Sequence, residues 1–242
     1  MKDIHSHLLV GIDDGSESFE ESIKILKLME KSGITDLIIT PHYVENSQYN
    51  CNNKDKKELF KQLIEKKDEN NININLYLGN EVFFTSNIID LIKQGEIRTL
   101  NNTRYLLIEF PLHNIYNNTL EVIQRLVSKG VIPVLAHPES YEVFQNNPDI
   151  IKEYLRAGVL MQGNFTSLFG KYGPTPKKLL TYYLKNEWIT FLGSDTHHEV
   201  KYDARKLEKM LLKVTKDKYY VKDLMENNFD KVINDEDIGM VR

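Results

Sequence analysis

The chain begins Met1-Lys-Asp-Ile-His-Ser-His-Leu-Leu-Val-Gly-Ile-Asp-Asp-Gly15, a short extended run followed by a tight turn. The run ends in His5 and His7, and the turn contains Asp13 and Asp14. Residues i and i+2 of a strand point to the same face, so these two imidazoles can bind one ion. Aspartate and glycine also favour turns by themselves, so Asp14 is either a metal ligand or a turn residue.

Length and composition predict one large α/β domain over residues 1–242, because 242 residues are too few for two such domains. The net charge of −4 and the pI of about 6.0 give no electrostatic footprint for nucleic acid or an anionic membrane. We find no apolar run of membrane-spanning length and no leader ahead of the first strand. A single cysteine, Cys51, fits a reducing compartment. We therefore expect a cytoplasmic protein that is not an integral membrane protein.

Seven β-then-α units follow one another along the chain. Their predicted strands are the run ending at His7 and residues 36–40, 72–78, 105–109, 131–136, 159–162 and 188–192. Predicted helices lie at 18–33, 54–69, 86–95, 117–129 and 148–158, from about 176, and twice in the tail after about 203. Such alternation implies a parallel sheet with right-handed crossovers. The units can close into a barrel, whose chemistry gathers at the carboxyl ends of the strands. An open doubly wound sheet is the alternative, although no Gly-rich phosphate loop follows an early strand.

Side chains that bind metals follow six of the seven predicted strands. They are His5, His7, His42, Glu81, Glu109, His137, Asp195 and His197. In a barrel these residues converge on one rim, so the pattern predicts a multinuclear metal site. Nitrogen and carboxylate ligands without a thiolate suit manganese, iron or zinc. We expect His198 either to face solvent or to support a ligand from behind, and His113 to be structural.

Seven short motifs resemble those of the PHP (polymerase and histidinol phosphatase) superfamily. They are His5-Ser-His7, Asp13-Asp-Gly15, Thr40-Pro-His42, Gly79-Asn-Glu81, Ile108-Glu-Phe110, Ala136-His-Pro-Glu139 and Gly193-Ser-Asp-Thr-His197. Within this superfamily the chain looks most like the bacterial tyrosine-protein phosphatases encoded in capsule and exopolysaccharide loci. The Gln162-Gly-Asn164 and Tyr172-Gly173 segments resemble that subfamily as well.

The resemblance implies a distorted (β/α)₇ barrel with two or three ions, usually manganese. Three ligand sets are implied: His5, His7, Glu81 and Asp195; then Glu81, Glu109 and His137; then Asp14, His42 and His197. Asp195, His197 and His42 would activate a metal-bound water. The implied reaction is hydrolysis of phosphotyrosine on a tyrosine kinase that controls polysaccharide assembly, by metal-activated hydroxide and without a phosphoenzyme.

One position departs from the family pattern. An arginine that engages the phosphoryl group commonly follows the His-Pro-Glu motif, and Ser140 stands there instead. The nearest cations after the Asp-x-His motif are Lys201 and Arg205, which we take with Asn164 as candidate substrate-binding residues. A lysine is only a point charge, whereas arginine grips a phosphate with two hydrogen bonds.

Two further functions stay open at this point. One is a phosphatase for a small molecule such as histidinol phosphate, and the other is a weakly active protein that binds a phosphorylated partner. A cysteine-dependent phosphatase is excluded, because it needs an arginine six residues after the cysteine and Cys51 is followed there by Lys57.

Overall fold

The structure is a computed structural model that describes residues 1–199 and 202–239, and every strand pair in these residues is parallel. The strands are β1 (Lys2–Asp3), β2 (Asp36–Ile39), β3 (His42–Tyr43), β4 (Asn75–Leu78), β5 (Glu81–Phe83), β6 (Tyr105–Glu109), β7 (Ile132–Ala136), β8 (Leu160–Asn164) and β9 (Phe191–Gly193). One sheet has the order β1-β2-β4, and the other has the order β3-β5-β6-β7-β8-β9. The prediction of an α/β fold with parallel strands is confirmed.

Helices connect the strands and follow the last one. They are α1 (Phe19–Lys31), α2 (Asn53–Glu69), α3 (Ile88–Gln94), α4 (Thr119–Ser128), α5 (Glu142–Asn146), α6 (Ile151–Arg156), α7 (Phe165–Leu168), α8 (Pro174–Lys185), α9 (Ala204–Thr215), α10 (Lys218–Lys222) and α11 (Asn228–Ile233). Polar side chains cap four of them, because an oxygen of Ser18, Asn52, Asp203 or Asp217 accepts free backbone N–H groups of the first turn.

The chain passes from one sheet to the other at Pro41. This residue has no N–H to donate, so the ladder between β2 and β4 stops there. The backbone N–H of Glu81 donates to the carbonyl oxygen of Pro41 at 3.2 Å, and the side-chain amide of Asn80 donates to the same oxygen at 2.8 Å. Pairing then resumes with His42 opposite Glu81. The interruption thus sets two predicted ligands side by side.

The segment after β1 joins the two sheets. Ser6 forms a parallel bridge with Thr196, which follows β9. The N–H of His7 donates to the carbonyl of Thr196 at 2.9 Å, and the N–H of Thr40 donates to the carbonyl of Ser6 at 2.8 Å. The described strands form two sheets linked by these bonds and not one continuous ladder.

Both faces of the strands are buried, which explains their uninterrupted apolar runs. In β6, Leu106 and Ile108 pack in one hydrophobic cluster, while Tyr105 and Leu107 belong to a second one. We call the second the strand cluster, because most of its residues lie in strands, although it also contains Phe229 and Val232 of α11. Glu109 has the same parity as Tyr105 and Leu107. Alternation along the strand therefore points this carboxylate to the same side as the strand cluster.

The C-terminal helices close the amino ends of the strands. Phe229 and Val232 of α11 pack with Ile4, Tyr105 and Phe191 in the strand cluster. The hydroxyl of Tyr105 donates to the carbonyl of Glu236. This end of the molecule is filled, so the opposite ends of the strands are left for the functional site.

Most predicted elements are confirmed, with errors at their ends. The strands predicted at 36–40 and 105–109 are β2 and β6. Ser86 is not the cap of α3, since Asn87 holds that position and no side chain caps the helix. The short elements β3, β5, α5 and α7 have no periodic pattern of their own and were not predicted.

Candidate metal centre

Eight of the nine predicted ligands lie at strand ends. Six lie at or just after the carboxyl end of a strand, and His42 and Glu81 lie where β2 gives way to β3 and β4 gives way to β5. His5 and His7 follow β1, His42 begins β3, Glu81 begins β5, Glu109 ends β6, His137 follows β7, and Asp195 and His197 follow β9. Asp14 reaches the group from the turn after His7, with Asp14 Oδ1 at 3.4 Å from His197 Nε2. The structure brings all nine predicted metal ligands together.

Four side chains form what we call the inner cluster: His5, His7, Glu81 and Asp195. The Nε2 atoms of His5 and His7 are 3.0 Å apart. Glu81 Oε2 lies 3.1 Å from the nitrogen of His5 and 3.3 Å from that of His7. Asp195 Oδ1 lies 3.5 Å from each nitrogen. Atoms that share one ion through bonds of about 2.1 Å are separated by about 3 to 3.5 Å, so the inner cluster fits a single cation.

Hydrogen bonds fix which nitrogen of each histidine faces the cluster. His7 Nδ1 lies 2.9 Å from Asp13 Oδ2, and an ionised carboxylate only accepts, so Nδ1 carries the proton. His5 Nδ1 lies 2.7 Å from Gln162 Oε1, while the amide nitrogen of Gln162 donates to Asn164. Both Nε2 lone pairs are thereby available to an ion, which is the arrangement that outer partners give to metal-binding histidines.

Two further groups of possible ligands adjoin the inner cluster. One contains His42, Glu81 and Glu109, and the other contains His7, Asp14, His42 and His197. His137 Nε2 lies 3.1 Å from Glu81 Oε1 and 3.8 Å from Glu109 Oε1, so it borders the first of these groups. The resemblance implied the same side chains, but here His42 and His7 each lie within reach of two groups.

Buried atoms without hydrogen-bond partners support a fit to cations. Glu81 Oε2, His42 Nδ1 and His137 Nδ1 are buried and unpartnered among the described residues. Glu81 Oε2 and His42 Nδ1 are only 3.1 Å apart, yet their directions do not make a hydrogen bond. A buried polar group without a partner costs about 1–3 kcal/mol. The donors present are those that bind Mn, Fe or Zn.

Neighbouring charges shift the pKa values of the site strongly. Burial would lower the pKa of His137, but its hydrogen bond to Glu81 and the surrounding carboxylates raise the pKa to about 10. Burial would likewise lower the pKa of His7, which its acidic partners, first Asp13, raise well above its usual range. By contrast, burial and the nearby His7 lower the pKa of His197 to about 4. Burial and the charge of Glu81 raise the pKa of Glu109 to about 7.

Two of the ligands adopt left-handed backbone conformations. The φ angle is 33° at His137 and 51° at Asp195. Such φ values cost of order 1–3 kcal/mol in residues other than glycine, and they persist where the surroundings enforce them. Asp195 is fixed by its N–H bond to the carbonyl of His5 and by the side-chain amide of Asn164, which donates to Asp195 Oδ2. The strained turns aim both side chains at the cluster.

The three candidate substrate-binding residues have different outcomes. We call the space beside the metal ligands the central cavity; its lining consists of His42, Glu81, Glu109, Leu112, His137, Ser140, Gln145, Asn164, Tyr172, Pro176, Asp195 and His197. The side chain of Asn164 is hydrogen-bonded to both Gln162 and Asp195, so it positions the metal ligand Asp195. Arg205 lies at the amino ends of the strands, opposite the ligands. The N–H of Ala204 donates to the carbonyl of Ser32, which precedes β2, and Arg205 lines a groove with Met1, which precedes β1. Its predicted role in the site is therefore wrong. Lys201 lies outside the described residues.

The remaining histidines stand apart from the ligand groups. His113 is exposed and its ring pairs with Glu142 at 2.7 Å. His198 is exposed as expected and faces Glu21 at 3.4 Å. Ser140, which stands where the resemblance implies an arginine, lines the central cavity.

Three supporting residues were missed by the sequence reasoning: Asp13, Gln162 and Glu139. Asp13 and Gln162 orient the two histidines. Glu139 Oε1 accepts hydrogen bonds from the N–H of Asn164 and the hydroxyl of Ser167, both at 2.9 Å, and burial raises its pKa to about 7. All three stand in motifs that carry the family resemblance, and Gln162 also has the parity of Asn164 in β8, but no role was assigned to them from the sequence.

A model of the family described as capsular polysaccharide synthesis, CpsB/CapC, matches residues 1–234. The chain belongs to the CpsB/CapC family. The putative tyrosine-protein phosphatase CapC of Staphylococcus aureus is 36% identical over 197 residues, covering 81% of this chain and 77% of CapC. The tyrosine-protein phosphatase CpsB of Streptococcus pneumoniae is 30% identical over 203 residues, covering 82% of this chain and 83% of CpsB.

Solved structures agree with this CpsB/CapC assignment. A chain from the crystal structures of YwqE from Bacillus subtilis and CpsB from Streptococcus pneumoniae, described as metal-dependent tyrosine phosphatases, superposes with a TM-score of 0.91. It is 26% identical, and the match covers 99% of this chain and 96% of that chain. A phosphotriesterase homology protein from Escherichia coli, 12% identical with a TM-score of 0.59, shares the fold alone.

Asp13→Asn tests the orientation of His7. Asparagine lacks the negative charge that favours a proton on Nδ1, and only one of its two side-chain atoms can accept the N–H groups that Asp13 now receives. We therefore expect Mn²⁺ affinity to fall by about 10- to 100-fold. Calorimetric titration with Mn²⁺ measures this change, and Asp149→Asn at an exposed position is the matched control. Equal Mn²⁺ affinity in the Asp13→Asn and unchanged proteins would contradict the assignment.

Proton release tests the pKa values of the histidines. The raised pKa values of His7 and His137 mean that both hold protons at pH 7.5 without metal, and each must lose one to bind an ion. Affinity for Mn²⁺ should therefore rise as the pH approaches the pKa of His137, about 10, because the ring of His137 is increasingly neutral before the ion binds. Titrations at pH 7.5 in two buffers with different ionisation heats should give different heats. Identical heats in both buffers would show that no proton leaves.

Proposed function

We propose that the protein hydrolyses phosphotyrosine on a protein substrate, in a metal-dependent reaction without a phosphoenzyme. The observation that carries this proposal is the inner cluster, in which two imidazoles and two carboxylates of distant strands converge within the distances that one cation requires. Membership of the CpsB/CapC family supports the choice of phosphotyrosine, because relatives in it are named tyrosine-protein phosphatases.

The chain would hold two or three ions through His5, His7, Asp14, His42, Glu81, Glu109, His137, Asp195 and His197. Manganese is the ion we propose, with iron or zinc as alternatives for the same donors. Bound ions would supply a water deprotonated near neutral pH and would neutralise charge on the phosphoryl oxygens. The lowered pKa of His197 and, through burial, of His42 keeps both imidazoles neutral and able to bind metal at pH 7. Together with Asp195 they are the residues we assign to activation of the water.

Cys51 takes no part in the proposed reaction. It precedes α2, and the described residues that line the central cavity include no cysteine. Burial raises the pKa of its thiol, which disfavours the nucleophilic thiolate.

Several broader features complete the proposal. We propose that residues 1–242 are one phosphatase domain. We also propose that the two sheets form a distorted barrel of seven strands, in which β2 with β3 and β4 with β5 each count as one interrupted strand. The bond between Ser6 and Thr40 and the bond between His7 and Thr196 support this proposal. A bacterial tyrosine kinase of polysaccharide assembly is the proposed substrate, and the cytoplasm the proposed location. None of the helices in residues 1–199 and 202–239 combines the length and apolar character needed to cross a membrane.

One observation favours a second function, binding of a phosphorylated protein with little turnover. The described residues that line the central cavity include no lysine or arginine, and the family arginine is replaced by Ser140. Phosphate binding would then depend on the ions alone. Without a guanidinium, both affinity for the phosphoryl group and its orientation for attack would be weaker.

Substitution of the inner cluster tests the proposed chemistry. His5→Ala and Asp195→Ala should each abolish hydrolysis of a phosphotyrosine peptide, and chelation should do the same until Mn²⁺ is restored. Cys51→Ser is the control and should keep full activity, because no thiolate attacks. Phosphate release after exhaustive chelation, or its loss in Cys51→Ser, would refute the mechanism. Turnover of alkyl phosphates with none of the peptide would favour a small-molecule substrate.

Ser140→Arg tests the missing cation. Ser140 lines the cavity beside the predicted ligands, so an arginine there should raise kcat/KM for a phosphotyrosine peptide by about 10-fold or more, the strength of a charge-assisted hydrogen bond. Ser140→Gln, of similar length without charge, is the matched control. An unchanged kcat/KM in Ser140→Arg would mean that the phosphate is held by other groups.

A further inference from the structure

The cavity above the metal centre has two chemically different kinds of lining residue. Its volume is about 380 Å³, within the range of sites for small ligands. Imidazoles and carboxylates of the metal centre line it together with three residues that offer apolar surface, Leu112, Tyr172 and Pro176. Leu112 is 46% exposed and Tyr172 is 39% exposed. Singly exposed apolar residues are ordinary, but these two border the same cavity.

Tyr172 is fixed in place by the turn that carries it. The N–H of Gly170 donates to the carbonyl of Ser167 at 2.9 Å, and the N–H of Gly173 donates to the carbonyl of Gly170 at 3.1 Å. Both glycines have φ near 90°, a conformation that other residues rarely adopt. The ammonium of Lys171 lies 4.9 Å from the centre of the Tyr172 ring and covers one face. The ring is therefore held at the cavity with another surface free.

Leu112 is anchored on a different segment. It follows β6, and its carbonyl accepts the N–H of Glu142 at 3.0 Å. Leu112 and Tyr172 thus reach the cavity from two separate loops, each tied down by backbone hydrogen bonds. Because these two loops are already ordered, an apolar group that enters the cavity loses little binding free energy to ordering them.

We propose that Tyr172 and Leu112 form a slot for the aromatic ring of the substrate and so select aryl phosphates over alkyl phosphates. This inference rests on the proposed function. His5 and Glu81 are fully buried, so a phosphoryl group must pass below the exposed rim to approach them. A phenyl ring is a rigid apolar spacer that can do this while its faces contact the slot. Serine and threonine phosphates have a shorter link to the backbone and no ring.

Binding of two phosphonates to the manganese-loaded protein tests the slot without requiring turnover. We expect phenylphosphonate to bind about 10-fold more tightly than methylphosphonate. Tyr172→Ala should lose about three- to tenfold in affinity for phenylphosphonate, the strength of an aromatic pair, with methylphosphonate unaffected. Leu112→Ala should show a smaller loss of the same kind. Tyr172→Phe keeps the ring and should bind both compounds like the unchanged protein.

Tyr219→Ala is the matched control, since Tyr219 is 71% exposed in a groove away from the metal centre. The slot is overturned if Tyr172→Ala weakens both phosphonates equally, if it weakens neither, or if the unchanged protein does not bind phenylphosphonate preferentially. Turnover of a phosphotyrosine peptide by the unchanged protein separates the two proposals. If that turnover is present and Tyr172→Ala behaves like the unchanged protein, only the slot fails.

Discussion

Two imidazole nitrogens, His5 Nε2 and His7 Nε2, are held 3.0 Å apart with two carboxylate oxygens beside them. Their other nitrogens are bound to oxygen acceptors, so both lone pairs face inward. Such an arrangement is repulsive unless a proton or a cation lies between the atoms. The rest of the site follows from this constraint, because each outer partner serves to hold a ligand in a position that it would not occupy alone.

The fold and the site depend on the same hydrogen bonds. The carbonyl of His5 accepts the N–H of Asp195, and the carbonyl of Ser6 accepts the N–H of Thr40. These bonds tie the segment after β1 to the residues that follow β2 and β9, and they also set the spacing of the ligands. The packing of α11 under the opposite ends of the strands fills the interior there. The predicted ligands line a cavity at the carboxyl ends of the strands, opposite this packed end.

Sequence patterns predicted the repeating strands and the position of each ligand, because parallel strands buried on both faces have continuous apolar runs and end in polar residues. They did not predict the division at Pro41, which depends on one missing N–H. They also gave no role to Asp13, which reaches His7 from the adjoining turn, or to Gln162, whose contact with His5 spans 157 residues of the chain. Arg205 was misplaced because closeness in sequence to His197 does not reveal that the chain has turned to the other end of the strands.

The proposed chemistry depends most on one cation that the four side chains of the inner cluster bind together. Diffraction data from manganese-loaded crystals, collected on both sides of the manganese absorption edge, test this directly. We predict an anomalous peak within bonding distance of His5 Nε2, His7 Nε2, Glu81 Oε2 and Asp195 Oδ1, with at least one more peak beside His42. An absence of anomalous density among these four atoms in crystals soaked with excess Mn²⁺ would contradict the account.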